Sequence, residues 1–135
     1  MTQKAILIDL NRCTGCWTCS LACKVGYKLD SDEWWQHVRT IGGGGIDEPS
    51  GKYPDLWMKW MPIHTQDCIL CDERTEEGLE PFCTYNCPSK AMTFGDLDDP
   101  NSPVSIRMEE VREMGYRIFK LPAWERTRSE IFYAE

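Results

Sequence analysis

The apolar positions along the chain predict short elements separated by polar loops. The segment KAILIDL, residues 4–10, alternates weakly and is rich in isoleucine and leucine, which predicts a β-strand. KAMTFGDL, residues 90–97, predicts a second short strand that ends at the turn-forming DDPNSP. YRIFKL, residues 116–121, predicts a third. The pattern therefore indicates several short strands and not a few long elements.

The segment before YRIFKL has helical spacing, in which Ile106, Val111 and Met114 are expected to share one face. The segment IGGGGIDEPSGKYPD, residues 41–55, is a flexible surface loop by composition. Its glycine run lacks the spacing and the following helix of a phosphate-binding loop. The last dozen residues are predicted to be extended. Short strands and helices with long loops indicate an α+β fold.

The length of 135 residues fits one domain spanning 1–135. Within it, residues 27–66 are predicted to form a loop-rich insert, called the insert below. Residues 104–135 are predicted to be a C-terminal extension that binds a partner. A fold this small and loop-rich needs a cross-link to stabilise it, and a bound metal centre is one way to provide the cross-link.

The composition narrows the classes of function. There are 22 acidic and 15 basic side chains, giving a formal charge of −7, which argues against nucleic acid and suits a basic protein partner. No run approaches the roughly 20 apolar residues of a membrane span, and the first residues lack a signal-peptide pattern. We therefore expect a cytoplasmic protein, in which eight cysteines indicate metal or redox chemistry.

The cysteines fall into two motifs with related spacing. The first is Cys13-x2-Cys16-x2-Cys19-x3-Cys23, and the second is Cys68-x2-Cys71-x11-Cys83-x3-Cys87, followed by Pro88. The first matches the bacterial ferredoxin run, in which three cysteines bind one 4Fe–4S cluster and the fourth binds the other cluster. The second has the same ends with a wider middle gap. The repeat predicts two halves related by pseudo-two-fold symmetry.

This spacing predicts two 4Fe–4S clusters with crossed ligation. Cluster I is predicted to be held by Cys13, Cys16, Cys19 and Cys87. Cluster II is predicted to be held by Cys23, Cys68, Cys71 and Cys83. Each oxidised cluster with four thiolates adds about −2, which takes the formal charge from −7 to about −11. Backbone N–H groups and exclusion of water must stabilise that charge.

Zinc is the main alternative, because C-x2-C pairs also suit tetrahedral zinc sites. A zinc ribbon, however, needs neither four cysteines in eleven residues nor a proline after the last one. A disulfide framework is disfavoured by the lack of a signal-peptide pattern. His37 and His64 are isolated in the sequence and are interpreted as structural or surface residues.

The two motifs with their surroundings resemble a known family. CTGCWTCSLACK and CILCDERTEEGLEPFCTYNCPSKAMTFGDLDDPNSPV are similar to the first and last cluster motifs of the iron–sulfur subunits of molybdopterin oxidoreductases, the dimethyl sulfoxide reductase class. Typical members have four such motifs. This chain has two, with the insert in place of the middle pair. The resemblance implies a shortened, ferredoxin-like dicluster fold.

The resemblance also implies a function. The chain would relay electrons between a catalytic subunit with pterin-bound molybdenum or tungsten and an external carrier, with no catalytic site of its own. Cluster I would lie nearest the catalytic subunit. Some relatives are exported, folded, on a partner's twin-arginine signal. The alternatives are a free-standing dicluster ferredoxin and a zinc-stapled interaction module.

Tryptophan is unusually frequent, with six residues in the chain. Five of them exceed what so small a core can bury: Trp34, Trp35, Trp57, Trp60 and Trp124. They are expected either to lie in an interface with the catalytic subunit or in an oligomer, or to cover the clusters from within.

Overall fold

A four-stranded mixed sheet forms the centre of the protein. The computed structural model describes residues 3–41, 49–122 and 126–135. The strand order is β6-β1-β8-β7, with β1 at Lys4–Asp9, β6 at Met92–Asp96, β7 at Ile118–Phe119 and β8 at Ile131–Ala134. The strands predicted at 4–10 and 90–97 are confirmed, and the one predicted at 116–121 is shortened to two residues.

The first strand is buried on both of its faces, which explains its almost continuous apolar run. It pairs antiparallel with β6 and parallel with β8. Ile6 and Ile8 point into the core cluster that contains several of the cysteines. Ala5 and Leu7 point to the opposite side and pack with helix α4, Pro103–Glu113. The strand thus separates the cysteine side of the fold from the helix side.

The predicted helix near residue 106 is present, but its buried face differs from the expected one. Val104, Met108 and Val111 are buried, while Ile106 and Met114 are about half exposed, at 47% and 51%. The reason is that Val104, Met108 and Val111 form a regular i, i+4, i+7 apolar stripe, whereas Ile106 lies about 200° around the helix from Val104.

Three shorter helices carry or flank the cysteines: α1 at Thr18–Gly26, α2 at Asp72–Glu76 and α3 at Phe82–Asn86. The insert contains two antiparallel strand pairs, which are β2 (Gln36–Ile41) with β5 (Lys59–His64), and β3 (Ser50–Lys52) with β4 (Asp55–Trp57). This small mixed fold fits the predicted α+β class, and the pseudo-two-fold symmetry stays a prediction.

The segment 41–55 was predicted as a loop, but its described ends belong to strands β2, β3 and β4. Its glycine run and Trp124 lie outside the described residues. In the part of the chain that the structure describes, no helix is long and apolar enough to cross a membrane.

The C-terminal strand belongs to the core. Ile131 and Tyr133 of β8 are buried, and the Tyr133 hydroxyl donates a hydrogen bond of 2.7 Å to the Pro62 carbonyl. This bond ties the main sheet to the β2–β5 pair. On the helix side, Arg107 donates to the buried Asp9 carboxylate at 2.9 Å. Both contacts join residues that are far apart in the sequence.

Candidate metal centres

All eight cysteines are free thiols, and they line two separate cavities. The first, called cavity I, has an empty volume of about 300 Å³ and is lined by Cys13, Cys16, Cys19 and Cys87. The second, called cavity II, has an empty volume of about 290 Å³ and is lined by Cys23, Cys68, Cys71 and Cys83. The structure therefore brings together the same two groups of four that the crossed assignment predicts.

Two packed helices explain how each motif reaches both cavities. Helix α1 carries Cys19, which lines cavity I, and Cys23, which lines cavity II. In the second motif Cys83 lies on α3 and Cys87 at its C-terminal end, again on different cavities. Four residues of helix rise about 6 Å, so that one helix face can present thiols to two adjacent spaces. This is the physical basis of the C-x3-C spacing.

Left-handed backbone bends the cysteine loops around the cavities. Gly15 has a φ of +71° in the first loop, and Leu70 and Cys71 have φ values of +53° and +50° in the second. A Cβ atom at Gly15 would lie only 2.5 Å from the Trp60 ring, because that ring covers the loop. Glycine is needed here for its backbone and for its small size.

Backbone N–H groups point at several of the sulfur atoms. Three donate to Sγ at 3.4 Å: Leu70 to Cys68, Phe82 to Cys71 and Ala91 to Cys87. Hydroxyl groups approach others, with Thr18 Oγ1 at 3.2 Å from the Cys16 sulfur and Ser89 Oγ at 3.6 Å from that of Cys87. Such dipoles stabilise negative charge on sulfur.

The electrostatic environment differs between the exposed and the buried thiols. Burial raises the pKa of Cys19 and of Cys23 to about 12, and it raises the pKa of Cys83 well above the ordinary value. The Thr18 hydroxyl instead lowers the pKa of the exposed Cys16. A buried thiol becomes a thiolate when a metal supplies compensating charge. The donor set thus suits an iron–sulfur group.

Cavity II is also surrounded by polar side chains from the insert. The Tyr27 hydroxyl, the Gln36 amide nitrogen and His64 Nδ1 are buried without a hydrogen-bond partner that meets geometric limits, and all three residues line this cavity. His64 Nε2 lies 3.6 Å from the Cys83 sulfur, and burial lowers the pKa of the imidazole to about 3, so the ring is neutral. Bound sulfur atoms would offer acceptors to the Tyr27 hydroxyl and the Gln36 amide.

The interpretation of His64 as a structural residue is therefore incomplete, because it contacts a cysteine of cavity II. Nothing in its local sequence indicates this. Strand β5 brings it beside the cavity, where Gln36 is its cross-strand neighbour in β2. His37, the other histidine, is half-buried and lines neither cavity.

The tryptophans of the insert lie partly against the cysteine loops. Trp35 lines cavity II, Trp60 packs over Gly15, and Trp34 meets Trp17 edge to face at 5.7 Å. Trp57 is 47% exposed and lies on the outer strand β4. Three of the insert tryptophans therefore pack against the cysteine loops or the cavities. Trp57 does not, and its exposed ring is available for a contact with another molecule.

Comparison with known proteins agrees with the geometry. Residues 53–97 match the 4Fe–4S dicluster domain. Over 82% of its length the chain is 27% identical to a protein of Halobacterium salinarum provisionally named as a dimethyl sulfoxide reductase iron–sulfur subunit. It is 30% identical over 70% of its length to the arsenate respiratory reductase iron–sulfur subunit ArrB of Shewanella sp. strain ANA-3. It is 34% identical over 67% of its length to one of the chains of the anaerobic dimethyl sulfoxide reductase of Escherichia coli K12.

These matches support a relationship to the iron–sulfur subunits of molybdopterin oxidoreductases. It spans 72% of the Halobacterium protein but only 49% and 40% of the other two. The dicluster match and the eight cysteines support 4Fe–4S clusters as the cofactors of this chain and disfavour zinc. The related proteins are electron-transfer subunits and not catalytic ones. Which cysteine binds which cluster is a separate matter and is proposed below.

Proposed function

We propose that this chain carries two 4Fe–4S clusters, one in each cavity, and relays electrons between a catalytic subunit with pterin-bound molybdenum or tungsten and an external carrier. The main support is that each of the two cavities is lined by four cysteines, and that each set of four includes cysteines from both motifs. When bound, each cluster takes up and releases one electron. The rest of the chain orients the ligands and excludes water.

We propose the crossed ligand sets for these clusters. Cys13, Cys16, Cys19 and Cys87 hold cluster I in cavity I, and Cys23, Cys68, Cys71 and Cys83 hold cluster II in cavity II. The lining of the cavities supports this assignment. Cys19 and Cys23 lie one turn apart on α1 and line different cavities, and this closeness suits transfer of an electron between the clusters.

The family resemblance assigns cluster I to the side of the catalytic subunit. An exposed ligand supports that orientation, because Cys16 is exposed at cavity I whereas all four cysteines of cavity II are buried. A partner that covers Cys16 would come close to cluster I. The outer cluster II would then exchange electrons with an external carrier or with a second copy of the complex.

Several features of this assembly are part of the proposal. The extension 104–135 would contact the catalytic subunit through its exposed residues. Trp57 would lie in a subunit or oligomer contact. The complex would work in the cytoplasm, or be exported, folded, on a partner's twin-arginine signal.

Metal analysis and co-purification test this function. Anaerobically prepared protein should contain about eight iron and about eight acid-labile sulfide per chain. Co-expressed with its pterin subunit, the chain should elute with that subunit in gel filtration. A chain with full iron that elutes alone and exchanges electrons with several enzymes would favour the free-standing ferredoxin instead.

Replacement of single ligands tests the crossed sets. Cys87→Ala should remove or alter the same electron paramagnetic resonance signal as Cys13→Ala, although 74 residues separate the two positions. Cys23→Ala is the matched control, since it should affect the other signal. If Cys87→Ala and Cys83→Ala damaged one and the same cluster, the crossed assignment would be wrong.

A further inference from the structure

Polar groups surround the two cavities unequally. Of the buried side-chain atoms without a partner in the described residues, three belong to residues that line cavity II, namely Tyr27, Gln36 and His64. The described residues that line cavity I contribute none. All three residues lie in the insert, which occupies the place of the family's middle motifs. They are called the insert donors below.

Two of the insert donors make no hydrogen bond of normal geometry among the described residues, although the Tyr27 hydroxyl lies close enough to Cys71, a cysteine of cavity II, to interact with it. The Gln36 side chain is 2% exposed, and its amide nitrogen has no partner among the described residues. The Tyr27 hydroxyl is buried and interacts electrostatically with Cys71, but it makes no hydrogen bond of normal geometry within the described part of the chain. Burial of an unsatisfied donor is costly, so both positions call for an acceptor that occupies cavity II.

The third donor already meets a thiol of that cavity. His64 is 1% exposed, and its Nε2 lies 3.6 Å from the Cys83 sulfur. A neutral ring with its proton on Nε2 donates to this sulfur and leaves Nδ1 as an acceptor. His64 and Gln36 face each other across the β2–β5 pair, so one strand pair fixes both positions.

We propose that Tyr27, Gln36 and His64 donate hydrogen bonds to the sulfur atoms of cluster II and thereby raise its reduction potential. This inference rests on the proposed function, because it needs a cluster in cavity II. Reduction adds one negative charge to the cluster, and a donor aimed at sulfur stabilises the reduced form more than the oxidised form. In a buried site the effect is strengthened, since little water screens it. The insert thus sets the potential of the outer cluster.

Small substitutions with an internal reference test this role. Tyr27→Phe removes one hydroxyl, and Gln36→Met removes the amide at similar length. At a fixed potential, each substitution should lower the ratio of reduced to oxidised cluster II by about threefold to tenfold. A tenfold change corresponds to a potential shift of about 59 mV for one electron. Cluster I should keep its potential. The measurement is a redox titration followed by electron paramagnetic resonance, with the waves assigned through the Cys16→Ser variant.

Trp35→Phe is the matched control. Trp35 also lines cavity II, but its indole N–H donates to Glu33 at 3.1 Å, and phenylalanine keeps an aromatic ring against Tyr27, so the potential should stay unchanged. A His64→Gln variant retains an N–H donor and should shift cluster II less than His64→Leu. If a variant at His64 loses iron, the milder Tyr27→Phe and Gln36→Met variants decide the matter.

The outcomes separate this inference from the proposed function. Wild-type protein with far fewer than about eight iron per chain would overturn the two-cluster function itself. Wild-type protein with full iron, in which Tyr27→Phe and Gln36→Met leave cluster II unchanged or shift both clusters equally, would overturn only the role of the insert donors.

Discussion

The contact between Gly15 and Trp60 allows one prediction to be worked through from the structure. In a Gly15→Ala variant the new methyl group would lie 2.5–2.6 Å from three atoms of the Trp60 ring, and the residue would have to keep a φ of +71°. The left-handed conformation costs roughly 1–2 kcal/mol for a residue with a Cβ. Forcing the ring aside adds about 1–3 kcal/mol of overpacking. The sum of about 2–5 kcal/mol is a large part of the stability of a domain this small.

A matched glycine separates the two contributions. Gly115 has a φ of +85°, and a Cβ added there would meet no atom within 4 Å, so Gly115→Ala should show only the conformational cost. The assay is the rate at which the visible absorbance of the clusters decays in guanidinium chloride, since unfolding with cluster loss is irreversible. The additional 1–3 kcal/mol at Gly15 should accelerate this decay by about 5- to 150-fold relative to Gly115→Ala, if the strain is released in the transition state.

A double mutant provides the refuting result. Trp60→Ala removes the ring, so the pair Gly15→Ala with Trp60→Ala should be more stable than the sum of the single effects by about 1–3 kcal/mol. If Gly15→Ala decayed no faster than Gly115→Ala, or if the two changes were additive, the Trp60 ring would not rest on this loop and the reasoning would fail.

Two further predictions concern the contacts that join distant parts of the chain. Arg107→Met should destabilise the protein by about 1.5–3 kcal/mol, because it removes the nearer of the two guanidinium groups beside the Asp9 carboxylate, at 2.9 Å, and leaves only Arg12 at 3.7 Å. Arg117→Met, at a side chain 71% exposed, should change stability by less than about 0.5 kcal/mol in the same decay assay. Tyr133→Phe should cost about 1–3 kcal/mol by removing the donor to the Pro62 carbonyl, and an unchanged rate of absorbance decay would argue against that hydrogen bond.

The sequence predicted those features that depend on local pattern. The apolar run from residue 4 indicated β1, and the C-x3-C spacing anticipated that each motif reaches two sites, because both properties reside in a few consecutive residues. The register of helix α4 was wrong for a local reason as well. Val104 and Met108 complete the i, i+4, i+7 stripe with Val111, and this stripe, not the spacing of Ile106 and Met114, is the face buried against the sheet.

The polar environment of cavity II could not be read from the sequence. Gln36 and His64 are 28 positions apart, and only the pairing of β2 with β5 brings them together. Neither residue stands within a motif, and a strand with a buried glutamine looks the same locally as one with an exposed glutamine. The packing of the whole fold decides which distant strands pair, and the local pattern of apolar residues does not predict that pairing.

The position of β1 between β6 and β8 has a consequence for the order of assembly. On the ribosome, β1 emerges before both of its neighbours, and it gains the second one only when residues 131–134 have left the exit tunnel. Cavity I likewise remains open until Cys87 arrives. Iron delivery before that point would meet an incomplete ligand set in cavity I, so the N-terminal motif must wait for the second motif before this site can be filled. Under the proposed ligand sets, a nascent chain whose residue 87 is still inside the tunnel should therefore hold no complete cluster I.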